Sequence, residues 1–101
     1  MKAKNEIAQI FKTEAPNPVF SKELEALWHE YKGNWDKAHD IVQNLGSKNA
    51  AWIHAYLHRK EGDIWNAEYW YSRAGKQISE MDLETEFESI AMQLLAENQK
   101  K

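Results

Sequence analysis

Gly33-Asn34-Trp35-Asp36-Lys37-Ala38 returns 29 positions later as Gly62-Asp63-Ile64-Trp65-Asn66-Ala67. The same offset pairs Ala26 with Ala55, His29 with His58 and Gly46 with Gly75. A period of this length corresponds to one helical hairpin, which cannot bury its apolar face alone and stacks on a neighbouring copy. No alternating β-branched run bounded by turn residues marks a strand. The expected fold is all-α, with antiparallel helical hairpins stacked as a short array.

Outward from the repeat, glycines and capping residues divide the chain. Ser21 is placed to cap a helix reaching Lys32, with Leu24, Leu27, Trp28 and Tyr31 on one face and Gly33 just past its end. A second helix over 35–45 buries Trp35, Ala38, Val42 and Leu45 and stops at Gly46. Asn49 caps a third over 50–61, and Asp63 caps a fourth over 64–74. Ser79, with Asp82 three residues on, starts a last helix carrying Leu83, Phe87, Ile90, Ala91 and Leu94 toward Asn98. Hairpins 21–45 and 49–75 and a C-terminal capping helix 79–98 thus form one domain, 21–98. Residues 1–20 read as an N-terminal extension, set off by Asn17-Pro18, in which Ile7, Ile10 and Phe11 mark a short amphipathic helix. Ala50 to His58 holds no formally charged residue and is apolar on every side, so the third helix belongs at the centre.

Composition narrows the function classes. A chain of 101 residues has room for one domain and one modest core, and five tryptophans must carry much of the packing. With no cysteine there are no disulfides, thiolate nucleophiles or cysteine metal ligands, which fits a reducing compartment. The N-terminus leads into no apolar signal region, and no apolar run approaches the roughly 18 residues of a membrane span, so a cytoplasmic location is expected. The 13 basic and 16 acidic residues are interleaved, giving a net charge of −3 and no basic stripe for phosphates. Nucleic acid and membrane are therefore not expected partners.

The second copy carries a recognisable pattern: Gly62, Asp63, Ala67, Trp70, Tyr71 and Ala74. It resembles the second-helix signature of the tetratricopeptide superfamily, and its Ala-x-x-Trp-Tyr-x-x-Ala form most resembles the SEL-like branch. The first copy, with Gly33, Asn34, Ala38, Ile41, Val42 and Leu45, matches less well. The unit is 29 residues rather than about 34, the terminal proline is absent, and His29 and His58 occupy a position usually aromatic. The stretches around Trp28-His29, His39 and 52–63 are also similar to a group of small bacterial proteins, which implies a compact all-α protein and no activity.

Two faces of the third helix could carry function. His54 and His58 stand four apart on one face with Glu61 nearby, a spacing suited to a divalent metal but not the zincin motif, since position 55 is Ala. By the 29-residue offset Glu25 is equivalent to His54 and His29 to His58. If equivalent helices lie side by side, Glu25, His29, His54 and His58 converge as a set suited to zinc or ferrous iron. The plainer alternative makes the imidazoles half-buried packing groups bonded to carboxylates or carbonyls. His39 maps onto Glu68 and is expected as a surface or inter-helix hydrogen-bonding residue. The opposite face holds Trp52, Tyr56 and Arg59 at i, i+4, i+7, with Lys60 alongside. The tetratricopeptide resemblance implies that this face, with Leu27, Glu30 and Tyr31 from the first copy, lines a concave peptide-binding surface. Trp, Tyr and Arg are the residue types that anchor interfaces. The alternative is that the N-terminal segment or the C-terminal helix covers the stripe and makes it core. Trp65, in the first turn of the fourth helix, is hard to bury, and the acidic run 80–88 suits a solvated helix start.

No Gly-x-Ser-x-Gly elbow, phosphate loop or dinucleotide fingerprint is present. The expectation is a non-enzymatic protein or peptide interaction module contacting its partner through Trp52, Tyr56, Arg59, Lys60, Leu27 and Tyr31, with a homodimer allowed and no cofactor. The alternative is a metal- or small-ligand-binding protein using Glu25, His29, His54 and His58.

Overall fold

The computed structural model describes residues 2–99, and within them every regular element is an α-helix. The helices are α1 (Lys2–Phe11), α2 (Lys22–Tyr31), α3 (Trp35–Val42), α4 (Lys48–Lys60), α5 (Ile64–Arg73) and α6 (Leu83–Gln99). α2 packs on α3 and α4 on α5, each pair joined by a short turn, α3 lies against α4, and α6 packs across α1, α2 and α4.

The repeat has a shared backbone cause. At Gly33 and Gly62 the chain turns at φ 85° and 89°, a left-handed conformation that costs glycine least. In each case the glycine N–H and the next N–H return to the preceding helix. Gly33 donates to the Glu30 carbonyl (2.9 Å) and Asn34 to that of His29 (2.9 Å); Gly62 donates to Arg59 (3.1 Å) and Asp63 to His58 (2.9 Å). Asn34 and Asp63 then cap the following helix, their side chains accepting from the backbone N–H of Lys37 and Asn66. Six residues thereby close one helix and open the next, and for that reason they recur together.

Some boundaries differ from the sequence reading. α3 ends at Val42, because Asn44 and Leu45 already make tighter three-residue bonds to Ile41 and Val42. Ser47, not Asn49, caps α4, its hydroxyl accepting from the Ala50 N–H at 3.0 Å. Asn49 instead reaches Glu97 and Gln93 of α6, at 2.9 and 3.0 Å. The α6 start is fixed by Asp82, which accepts from Thr85 N–H at 2.8 Å, while Ser79 accepts from Met81 N–H. The amphipathic segment near the N-terminus is a full ten-residue helix, and its Ile7 and Phe11 enter the core. Phe11 packs on Phe20, Tyr31 and Phe87.

α4 runs through the middle, with all nine residues from Ala50 to His58 buried. Ala26, Ala38, Ala55 and Ala67, the small residues of the repeat, are each fully buried and let the helix backbones approach closely. The carboxylates of Glu30 and Glu86 are buried with them. Glu86 of α6 accepts from Trp52 Nε1 (3.1 Å), from Arg59 Nη1 (2.8 Å) and from the Tyr71 hydroxyl, and so fastens α6 to α4 and α5. A buried carboxylate is tolerable when its acceptor sites are answered in this way.

Candidate metal centre

On α4, residues four apart share a face, so His54 and His58 stand one above the other. Their rings lie 5.0 Å apart at 24°. The third imidazole comes from α3, where Trp35 and His39 use the same four-residue spacing. His39 is 4.6 Å from the ring of His54 and 5.3 Å from that of His58. Each of the three offers a ring nitrogen, and those nitrogens all lie within 4.8 Å of one another. Two indoles hold the group in place: Trp35 stacks on His39 at 4.9 Å and 10°, and Trp70 stacks on His54 at 3.9 Å and 13°. Trp35 is itself anchored by its Nε1–H on the Leu57 carbonyl, at 2.9 Å.

The protons of this cluster are constrained. His58 Nδ1 is 2.6 Å from Glu61 Oε1, and since a carboxylate accepts, Nδ1 carries a proton, so in the neutral ring the lone pair is on Nε2. His54 Nε2 is 3.1 Å from His39 Nε2, while the other His54 nitrogen, Nδ1, is buried with no partner among the described residues. Burial, reinforced by the His39 and His58 imidazoles, pushes His54 down to about 3, so its ring is neutral at pH 7. His39 is lowered as well, chiefly by burial and then by His58. Neutral imidazole is the form that donates to a metal.

The four-residue set built from the repeat offset does not assemble. Glu25 pairs with Lys22 at 3.6 Å, and His29 lies edge-on to Trp28 at 5.0 Å; neither joins His54 and His58. The offset aligns α2 with α4 along the chain, but α3 is the helix laid against the histidine face of α4. His39 therefore takes the place assigned to His29. The Trp35-x-x-x-His39 spacing on the second helix of the first copy was the signal available for it.

The opposite face of α4 is covered rather than open. Leu27, Trp52 and Tyr56 are buried, Arg59 is turned to Glu86, and Lys60 pairs with Glu30. Tyr31 stays at the edge, 39% exposed, against Phe11 and Phe87. Trp52 and Tyr56 of that stripe are thus buried, Trp52 bonded to Glu86 and Tyr56 set against Phe87 of α6, while Tyr31 and Lys60 stay exposed. The chain matches no family model, no curated protein and no solved structure. The reading of the site therefore stands on its geometry. Trp65 is the large apolar residue most exposed among those described, at 87%, with Tyr69 one turn further at 52%. No described helix is long and apolar enough to cross a membrane.

Proposed function

We propose that this protein binds a divalent transition-metal ion through His39, His54 and His58, on a scaffold of two tetratricopeptide-like hairpins closed by α6. The observation that carries the reading is the convergence of three ring nitrogens, from two different helices, within 4.8 Å. The 3.1 Å between the His39 and His54 Nε2 atoms is close to the separation of about 3.3 Å implied by metal–nitrogen bonds of 2.0–2.1 Å in tetrahedral geometry. Glu61 supplies a second support. A carboxylate on the far nitrogen of a ligating histidine fixes its tautomer and raises its basicity. Imidazole donors without thiolates or a carboxylate cage favour zinc, nickel, copper or ferrous iron over magnesium or calcium. Three protein ligands leave a fourth position open. The role is one of binding, and no catalytic group is assigned.

The test is thermal unfolding of tag-free, chelator-treated protein with added Zn²⁺, Ni²⁺ or Mg²⁺, together with elemental analysis of protein as purified. Zn²⁺ at about a hundred times its Kd should add about 2.7 kcal/mol, which raises the midpoint by roughly 10 °C or more for a domain of this size. The His39→Ala variant should lose the shift, His29→Ala should keep it, and Mg²⁺ should have none. An unchanged midpoint with Zn²⁺ and no metal in the purified protein would sink the proposal.

A protein-contact role is a second proposal, and it now rests on the exposed Trp65 and Tyr69 of α5. Sedimentation across concentrations tests its simplest form. Self-association that Trp65→Ser abolishes supports it, and a monomer throughout removes it.

A further inference from the structure

The outer face of α5 carries residues that packing does not require. Trp65, Glu68, Tyr69 and Ser72 stand at i, i+3, i+4 and i+7, on one face of the helix. With Asn66 they line a groove of about 480 Å³. The 29-residue offset matches Trp65 and Tyr69 to Asp36 and Asp40, which are exposed at the same register of α3. The hairpin thus forms with charged, well-solvated residues at these two positions. Its packing does not account for a Trp 87% exposed with a half-exposed Tyr one turn on. The polar atoms of the face are available as well. Among the described residues nothing answers the Trp65 Nε1–H, the Ser72 hydroxyl or the Glu68 carboxylate. The Tyr69 oxygen accepts from Arg73 and keeps its own proton to donate.

We infer that this face binds a proline-rich segment of another protein, in polyproline II conformation and carrying a basic residue. The proline rings would pack on Trp65 and Tyr69, which are one turn apart, about 6 Å along the axis. Backbone carbonyls of the segment would accept from the Trp65 Nε1–H and the Tyr69 and Ser72 hydroxyls, and the basic side chain would meet Glu68. The balance of donors and acceptors selects this ligand. A polyproline II backbone makes no internal hydrogen bonds and leaves its carbonyls to accept, while proline has no N–H to offer. The face supplies three donors and one carboxylate, and aromatic surfaces are where such segments dock. A partner helix would need a groove between two walls, whereas every lining residue here comes from α5. A second copy fits less well, because a two-fold axis through Glu68, the middle of the face, sets the two carboxylates against each other. The inference rests on the reading of α5 as a contact face and not on self-association, which sedimentation of the protein alone tests. It does not depend on the metal proposal.

The experiment is titration of ¹⁵N-labelled protein with a synthetic proline-rich peptide carrying one arginine, followed by amide shifts. One control peptide has alanine for each proline, and a second has glutamate for the arginine. Saturable shifts confined to 64–73 are expected with the first peptide, and weaker binding with either control. Trp65→Ser should abolish binding while keeping the fold, since so exposed a side chain adds little to stability. Glu68→Gln should weaken binding about threefold, as expected for the loss of an exposed ion pair, and should remove the preference for arginine over glutamate. The inference is overturned by the absence of saturable shifts, by shifts centred outside α5, by equal binding of the alanine peptide, or by unchanged binding in Trp65→Ser. Tight binding of the alanine peptide through Trp65 would leave α5 a contact face and overturn the polyproline ligand, so the two readings fail separately.

Discussion

Glu86 shows how a single residue can hold an element. It is fully buried and answers Trp52, Arg59 and Tyr71 at once, and Arg59 is itself only 17% exposed. Glu86→Ala would leave a nearly buried guanidinium without its counter-charge, a change that costs about 3–5 kcal/mol. Glu86→Gln keeps the shape and two acceptor contacts and should cost less; urea unfolding of the two variants measures the difference. Trp65→Ser is the opposite case. Removing a side chain that is 87% exposed should change stability by no more than about 0.5 kcal/mol. This scale is where the sequence was hardest to read. The four-residue spacing of His54 and His58 was visible in the chain, but whether His29 or His39 completes the group depends on which helix lies against α4. Spacing within one helix carries no information about that. The fate of the Trp52 stripe was hidden for a similar reason: the residue types of an interface anchor and of a buried network around one carboxylate are the same.

At the scale of the element, the caps and hinges were largely legible, because they depend on local chemistry. Ser21 and Asp63 cap where the residue types put them. The error at Asn49 arose because Asn is as good a cap as Ser, and its side chain is instead claimed by α6 from 44 and 48 residues away. Ser47→Ala should accordingly cost about 1 kcal/mol through the lost cap, and Asn49→Ala should loosen α6, seen as faster amide exchange in 90–98. The glycines offer a sharper contrast. A methyl group at Gly62 or Gly46 meets nothing within 4 Å, so crowding is not an issue at either. Gly62 has φ 89°, whereas Gly46 is not among the positive-φ glycines. Gly62→Ala should therefore destabilise by roughly 1–2 kcal/mol from backbone strain alone. Gly46→Ala should be neutral or stabilise by up to about 1 kcal/mol, because it restricts the unfolded chain. Equal effects in thermal unfolding would mean that the repeat's glycines are not held by their backbone conformation.

For the whole molecule, α4 is the common wall of two chemically different spaces, three imidazoles on one side and on the other a space lined by Tyr31, Tyr56 and Phe87. The charge-free run from Ala50 to His58 made its central position readable, but the contents of the two spaces come from α1, α2, α3 and α6, which only the fold brings in. The closure of that fold by α6 has a consequence at alkaline pH. Burial is the main reason the Tyr56 and Tyr71 phenols are pushed above their ordinary value; for Tyr56 the next cause is the Glu30 charge, and for Tyr71 it is its hydrogen bond to Glu86. In the unfolded chain both lose their protons near pH 10. Between that value and the raised folded one, the unfolded state has released protons that the folded state still holds. The stabilisation is therefore complete below about pH 10 and is lost as pH rises beyond it, at most about 1.4 kcal/mol per pH unit for each tyrosine. Urea midpoints from pH 8 to 11 should be flat and then fall, and Tyr71→Phe should make the fall shallower, because phenylalanine has no proton to lose. An unaltered slope in Tyr71→Phe and Tyr56→Phe would mean that these hydroxyls sit in contact with water, and that α6 does not close over α4 as tightly as the Glu86 network requires.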